Sequence, residues 1–515
     1  MQLDVKKNAR RNIIFGMINK AILMICPFVV RMAFSLTLGA EYLGLNSLFS
    51  SVLSVLNLSE LGLNSAILSH MYKPIADGDT KRVNSILAFY KKAYAIIGTL
   101  MMVVGVAITP ILPKLIRGSY PADANLVFIY LVYLINASIS YFLCAYYHPL
   151  IVAHQRDDLQ SNINSIITIV LNAFQIGVLF AFRNYTYYIV LMPIFTVINN
   201  LLIFILVKKH FPGFKAKGKI DAPTLASIRK LVTGTFIQKL STVSRHSMDS
   251  IFVSMFIGLV ATASYNNYYL VCAGVTAIVS ILSTSFAGGI GNHVAVKSPA
   301  ENFLELKSLD FSYLLIGGWT SSFLICLYQP FMTLWMGKDY LLPFDMVILF
   351  GIYYYALKLG DMRFMYISAK GLWWEQRYRS ILEAVGNIML NYILGRLFGM
   401  YGIISASIIT ILIFNFYWGT KILFKEYFGK EKFKEYLFYN LKYLIVNLIV
   451  CFLTYALCVA IPSATHVIAE MMKRALVCAI VPIGIYYIAY HKNENFPKMV
   501  NFLRQSLSIR RKSET

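Results

Sequence analysis

Fourteen windows of about 20 mostly apolar residues follow one another along this chain, and no segment between them is long enough to fold alone. They run near 12–37, 43–70, 84–112, 126–151, 161–182, 185–207, 230–257, 262–290, 311–335, 344–369, 379–398, 400–423, 438–461 and 471–490. In hydrocarbon the backbone finds no water, so each window must satisfy its N–H and C=O groups internally, as a helix. The expected fold is an all-α polytopic membrane protein with about fourteen transmembrane helices. Composition agrees: only 14% of the 515 residues are charged, against about 25% in soluble domains.

Lysine and arginine set the orientation. With the N-terminus cytoplasmic, 34 of the 47 basic residues fall in loops and tails on that side. The opposite side holds Lys114, Arg117, Arg183, Lys338, Arg396, Lys473 and Arg474. This is the positive-inside bias, and it places both termini in the cytoplasm. It assigns the net charge of +23 to topology and anionic lipid rather than to nucleic acid. The basic patch at Lys6, Lys7, Arg10 and Arg11 imitates a signal peptide, but the apolar run after it is too long and has no small-residue cleavage site. It reads as the first span. The seven cysteines show no metal or redox spacing and fall in apolar segments, where they read as small core residues. There is no Gly-rich phosphate loop ending in Lys-Ser/Thr, so ATP-driven transport by this chain is not expected.

Six cations interrupt the apolar windows: Lys20, Arg31, Lys239, Arg245, Lys358 and Arg363. A cation at the bilayer centre costs about 2.5–3.5 kcal/mol on insertion scales, so it needs a buried partner or a wet cavity. Four carboxylates lie at comparable depth, Glu60, Asp249, Asp361 and Glu383. The expected interior is net positive and suits an anionic, phosphate-bearing passenger. Lys20 and Arg31 are three turns apart on one helical face, which they share with Pro27 and Ser35. Snorkelling to the interface is the other reading for both. Asn57, Glu60 and Asn64 form a stripe that either glues helices together or serves transport. Arg245 and Asp249 are four apart and can pair, as a static salt bridge or as a switch that a phosphate and a cation could open. Lys358, Asp361 and Arg363 offer a similar pairing. Glu383, Asn387 and Asn391, at steps of four, supply hard oxygens for a small cation or packing glue.

The chain divides by composition into an N-lobe (1–208), a basic, flexible linker (209–229), a C-lobe (230–424) and a C-terminal part (425–515) holding spans 13 and 14 and a basic tail. The linker carries Lys215, Lys217 and Lys219 among Pro212, Gly213 and Gly218. From Lys425 to Lys442, aromatic residues alternate with lysines and glutamates, a pattern suited to a helix lying in the membrane interface. The two six-span blocks echo each other at an offset of 219, where Lys20 matches Lys239, Ser35 matches Ser254, and Gly39 matches Gly258. A parallel repeat would place such matches in the first helix of each block.

Several segments resemble one family. Glu41-Tyr-Leu-Gly-Leu-Asn-Ser-Leu-Phe, Leu58-Ser-Glu-Leu-Gly-Leu-Asn-Ser-Ala66, Tyr72-Lys-Pro-Ile-Ala-Asp-Gly-Asp79, Ala153-His-Gln-Arg-Asp157, and Asp249 followed by Phe256-Ile-Gly-Leu and Tyr265-Asn-Asn-Tyr are similar to polysaccharide repeat-unit flippases of the multidrug/oligosaccharidyl-lipid/polysaccharide exporter superfamily. The resemblance covers about 1–425. It implies two six-helix lobes in a V around a cationic cavity, with undecaprenyl-pyrophosphate-linked oligosaccharide flipped to the outer leaflet of a bacterial cytoplasmic membrane. The process would serve capsule or exopolysaccharide synthesis, alongside a polymerase and glycosyltransferases, with a monomer sufficing. It further implies that Lys20 and Arg31 meet the diphosphate, with Lys239, Arg245, Lys358 and Arg363 as further substrate-binding cations. Coupling or gating would fall to Glu60, Asp249, Asp361, Glu383, Asn387 and Asn391, with Na+ or H+ as the coupling ion and Asp249, Glu383 and Asn387 as the candidate Na+ set. No other cofactor is expected. The alternatives are a multidrug and cation antiporter of the same superfamily, and a membrane glycan polymerase or ligase.

Overall fold

A computed structural model describes residues 5–57, 62–462 and 464–501, and among them the chain is helical with no strand. It divides into two compact units, Met1–Ala263 and Ser264–Thr515. The first holds α1 (Val5–Thr37), α2 (Ala40–Leu56), α3 (Leu63–Ala76), α4 (Thr80–Ile108), α5 (Leu126–Phe142), α6 (His148–Ala153), α7 (Asp157–Phe182), α8 (Tyr185–His210), α9 (Ala222–Val243), a π-helical turn at Ser244–Met248, and α10 (Asp249–Phe256). α11 (Leu259–Val296) starts in the first unit and ends in the second. The second continues with α12 (Pro299–Trp335), α13 (Phe344–Lys358), α14 (Asp361–Lys370), α15 (Arg377–Phe398), α16 (Met400–Thr410), α17 (Gly419–Leu423), α18 (Phe433–Ala460) and α19 (Val467–Tyr490). π-helical stretches at Ile411–Trp418 and Phe424–Phe428 flank α17.

Among the described residues nine helices are long and apolar enough to cross a membrane, or ten counting α5 with α6, which meet at a 48° bend. The protein is thus an all-α polytopic membrane protein. The remaining expected spans are helical but interrupted. The window 43–70 divides into α2 and α3, with Gly62 in the left-handed region at φ 99°. The window 344–369 divides into α13 and α14 at Leu359-Gly360, and 230–257 divides at the π turn. α19 carries Glu470, Lys473 and Arg474 in its first turns, which shortens its apolar run.

The boundary between the two compact units falls after Ala263. Hydrogen bonds hold α9 and α10 to the first unit. Arg82 Nη2 donates to Thr224 Oγ1 at 3.2 Å, His70 Nε2 meets Ser227 Oγ at 3.0 Å, and the Arg117 amide donates to the Ser254 carbonyl at 3.0 Å. Nor is the linker loose. Phe211 is buried, the His154 ring packs on Phe211 and Phe214 at 4.6 and 5.1 Å, and the Lys215 amide donates to Asn84 Oδ1 at 2.7 Å.

The segment expected to lie as a separate interfacial helix is built differently. Its first residues form the π stretch Phe424–Phe428, the chain turns at Gly429 (φ 98°), and α18 begins at Phe433. Phe424, Phe428 and Tyr436 are buried in a cluster with Phe303, Leu306 and Tyr366. Their apolar area is better removed from water in that core than at a headgroup boundary. The cysteines also hold a relation that spacing concealed. Cys326, Cys458 and Cys478 come from α12, α18 and α19, and their sulfurs lie within 4.8 Å of one another.

The faint repeat has a backbone counterpart. Gly39 lies between α1 and α2 at φ 84°, and Gly258 lies between α10 and α11 at φ 123°. Both corners use a conformation that a side chain would strain.

Candidate functional site

In the first unit the expected cations separate by depth. Lys20 on α1 and Lys239 on α9 are exposed, and Arg31 is half-buried. Arg31 Nη2 donates to Ser47 Oγ of α2 at 3.1 Å. Its charge also acts on Tyr133, Tyr188 and His246, so it lies within electrostatic reach of α5, α8 and the π turn. Arg245 is buried within that turn, and Asp249, next to it on α10, is 1% exposed. A π turn carries one residue more than the α-helical ladder needs, and such turns concentrate at functional sites. Glu60 lies outside the described residues; Asn64 pairs with His148 on α6 at 3.3 Å.

In the second unit the charges are committed to one another. Lys358 is 1% exposed and donates to Asp361 Oδ2 at 2.8 Å. The Tyr313 hydroxyl bonds the same oxygen, and the Lys358 ammonium lies over the Tyr313 and Tyr354 rings, 5.8 and 5.7 Å from their centroids. Arg363 is 2% exposed and donates through Nη2 to Asn415 Oδ1, in the Ile411–Trp418 π stretch, at 2.8 Å. Its Nε has no hydrogen-bond partner among the described residues. Two glycines make room for its guanidinium. A Cβ at Gly360 would lie 2.9 Å from Nη2, and one at Gly419 would lie 2.3 Å from Nη1. The charges of Arg379 and Asp310 both act on Arg363. Asp310 accepts from the Tyr436 hydroxyl at 2.6 Å, and Arg379 donates to Glu383 at 2.6 Å.

The ladder on α15 follows. Glu383, Asn387 and Asn391 are fully buried; Asn387 donates to Ser407 Oγ at 3.0 Å, and Asn391 donates to Asn387 Oδ1 at 3.3 Å. The second-unit members of the expected Na+ set therefore have protein partners. Glu383 is compensated by a guanidinium, and the Asn387 carbonyl is occupied by an amide. Arg379 engages one oxygen of this carboxylate, Oε2.

Fully buried charge is close to balanced. Among the described residues the buried cations are Arg245, Lys358, Arg363 and Arg379, and the buried carboxylates are Asp158, Asp249, Asp310, Glu383 and Glu470. Sequence reading placed Arg379 and Asp310 at window edges and left both out of the charge count. A low-dielectric interior penalises unpaired charge, so buried ions come in compensating sets. Gly419→Ala tests the cradle. Arg363 is too enclosed to swing aside freely, so overpacking is expected to cost about 1–3 kcal/mol. It would be read as a lower melting temperature in detergent. An unchanged melting temperature would show that the guanidinium has room to move.

No family model matches the sequence, and no curated protein matches it. Solved structures do. The chain is similar to the lipid II flippase MurJ in an inward closed conformation, with TM-score 0.66 and 16% identity over 93% of this chain and 99% of the flippase. It is also similar to an inward-facing multidrug resistance MATE family transporter of the MOP superfamily, with TM-score 0.61 and 13% identity over 79% of this chain and 98% of that one. A mutant of the Vibrio cholerae MATE transporter VcmN matches at TM-score 0.55 and 15% identity, over 82% and 98%. The shared feature is the fold. This MOP-type fold agrees with the superfamily whose motifs the sequence resembles, and at these identities it leaves the passenger open.

Proposed function

We propose that this chain is a lipid flippase of the MOP type, not an enzyme. It would move undecaprenyl-pyrophosphate-linked oligosaccharide from the cytoplasmic to the outer leaflet by alternating access, supplying capsule or exopolysaccharide synthesis. One observation carries the reading. The flippase likeness extends over 93% of this chain, whereas the multidrug likeness with the higher TM-score covers 79%. The part of the chain beyond a multidrug transporter's length thus has a counterpart in a lipid flippase. The residue chemistry supports it. Arg31, half-buried, and Lys20 and Lys239, both exposed, would meet a diphosphate through charge-assisted hydrogen bonds. A multidrug antiporter is the second reading, supported by the likeness to a multidrug transporter over 79% of this chain.

The test uses purified protein in liposomes carrying an undecaprenyl-pyrophosphate-linked oligosaccharide, with an impermeant glycosyl-modifying enzyme reporting arrival in the far leaflet. Wild type is expected to expose the glycan, and Arg31→Ala to lower the rate at least tenfold at equal membrane abundance. Efflux of a cationic dye with no glycolipid movement would favour the antiporter. Covalent lengthening of the glycan would instead mark a polymerase or ligase.

A further inference from the structure

The first unit holds a polar cavity that the cations and acids above do not explain. Asn64 on α3, His148 on α6, Gln160 and Asn164 on α7, and Asn199 and Asn200 on α8 contribute to the lining of a space of about 280 Å³, joined by a tyrosine and a serine hydroxyl. Among the described residues no Asp, Glu, Lys or Arg lines it. Three amide-bearing helices and a histidine converge on one space in a membrane protein's interior, where each polar group left without a partner costs about 1–3 kcal/mol. Two of these groups are left so. Gln160 Oε1 and Asn199 Oδ1 are buried with no hydrogen-bond partner among the described residues. Other members are partly engaged: Asn64 with His148, and Asn200 Nδ2 with Ser140 Oγ at 3.0 Å.

The lining selects a ligand by chemistry. Carboxamides and hydroxyls both donate and accept, as do sugar hydroxyls, so each contact can pair in either sense. A diphosphate is ill served where no cation answers it, and a drug cation is ill served where no carboxylate does. The volume lies just under the lower end of small-molecule pockets, about 300 Å³, which suits one sugar ring with residual water. The location also fits. Gln160 and Asn164 lie in the first two turns of α7, and Asn199 and Asn200 lie in the half of α8 that ends in Lys208 and Lys209, so the pocket sits on the side of the first unit that those lysines mark. The charge bias assigns that side to the cytoplasm, where a repeat unit would be taken up.

We infer that this pocket is a subsite for an uncharged sugar residue, separate from the cations that meet the diphosphate. This rests on the flippase reading and adds a second contact to it.

The experiment uses the full chain in nanodiscs and saturation-transfer NMR with maltotriose and chitotriose, two neutral probes of different sugar type, and inorganic pyrophosphate as the anionic control. Asn164→Leu and Asn199→Leu replace amides by apolar groups of similar size; Asn199→Ser is the milder variant should either fail to fold. Saccharide transfer on wild type, reduced at least tenfold in the variants with the pyrophosphate signal unchanged, supports the subsite. No transfer from either saccharide to wild type, or equal transfer to wild type and variants, overturns it. Failure of the flippase reading itself has a different signature: saccharide binding sensitive to Asn164 and Asn199, with no glycolipid reaching the far leaflet.

Discussion

Asp361→Ala is expected to strip the membrane of this protein. The substitution leaves Lys358, 1% exposed, with its carboxylate partner gone and the Tyr313 hydroxyl, 3.4 Å away, as the remaining hydrogen-bond partner of Nζ among the described residues. Asp361 is 30% exposed, but Lys358 is not, and leaving a buried charge without its partner costs about 3 kcal/mol, the lower end of the range for a fully buried pair. That is a large part of the total stability of an ordinary domain, about 5–15 kcal/mol. Replacing both partners by apolar residues, as Lys358→Met with Asp361→Leu, is expected to restore most of the loss. Membrane abundance and melting temperature, compared across the single and double variants, make the check. A single variant as stable as wild type would mean the pair is not the compensating unit described. A double variant that folds yet moves no glycolipid would assign the pair to transport as well as to folding.

Glu383→Ala should be at least as severe and is separable from the first. Arg379 and Glu383 are both buried, four residues apart on α15, and joined at 2.6 Å. Without Glu383 the guanidinium keeps the Ser380 hydroxyl, at 2.7 Å, but loses its carboxylate. A loss of about 3–5 kcal/mol follows by the same reasoning. Glu383→Gln keeps the shape and should recover part of it. Thermal unfolding of the three proteins in one detergent decides the matter. If Ala and Gln lose equally, charge rather than shape holds this helix; if Gln matches wild type, shape does.

Much of the architecture could be read in advance. Runs of apolar residues dictate helices in hydrocarbon, and every expected window contains one. The partnership of Lys358 with Asp361 follows from a three-residue spacing on a helix, although the chain leaves α13 and enters α14 between them. What failed to show were partners at window edges and across helices. Arg379 lies at the first turns of α15 and reads as a cytoplasmic residue until its side chain is seen folded inward onto Glu383. Asp310 precedes the apolar window of α12 by one residue, yet it is buried against Tyr436 of α18. One is a cation and the other a carboxylate, so the two omissions cancel in the net count while hiding which groups are partners. The stretch at 425–442 failed for another reason: aromatic and basic residues alternate in interfacial helices and in helix ends packed on a core alike, and only the neighbours Phe303 and Tyr366 tell the two apart. The cysteine trio was invisible because its members lie on three helices.

The three π-helical stretches carry a mechanical consequence. Each holds a surplus residue relative to 3.6 per turn, and each residue of an α-helix advances the chain by about 100°. Passing that surplus along by one turn swivels everything in between by a fixed increment while breaking few bonds at any moment. Arg245 and Asn415 ride on two of these stretches. Such a helix can index its polar cargo like a ratchet, in discrete clicks, without first melting.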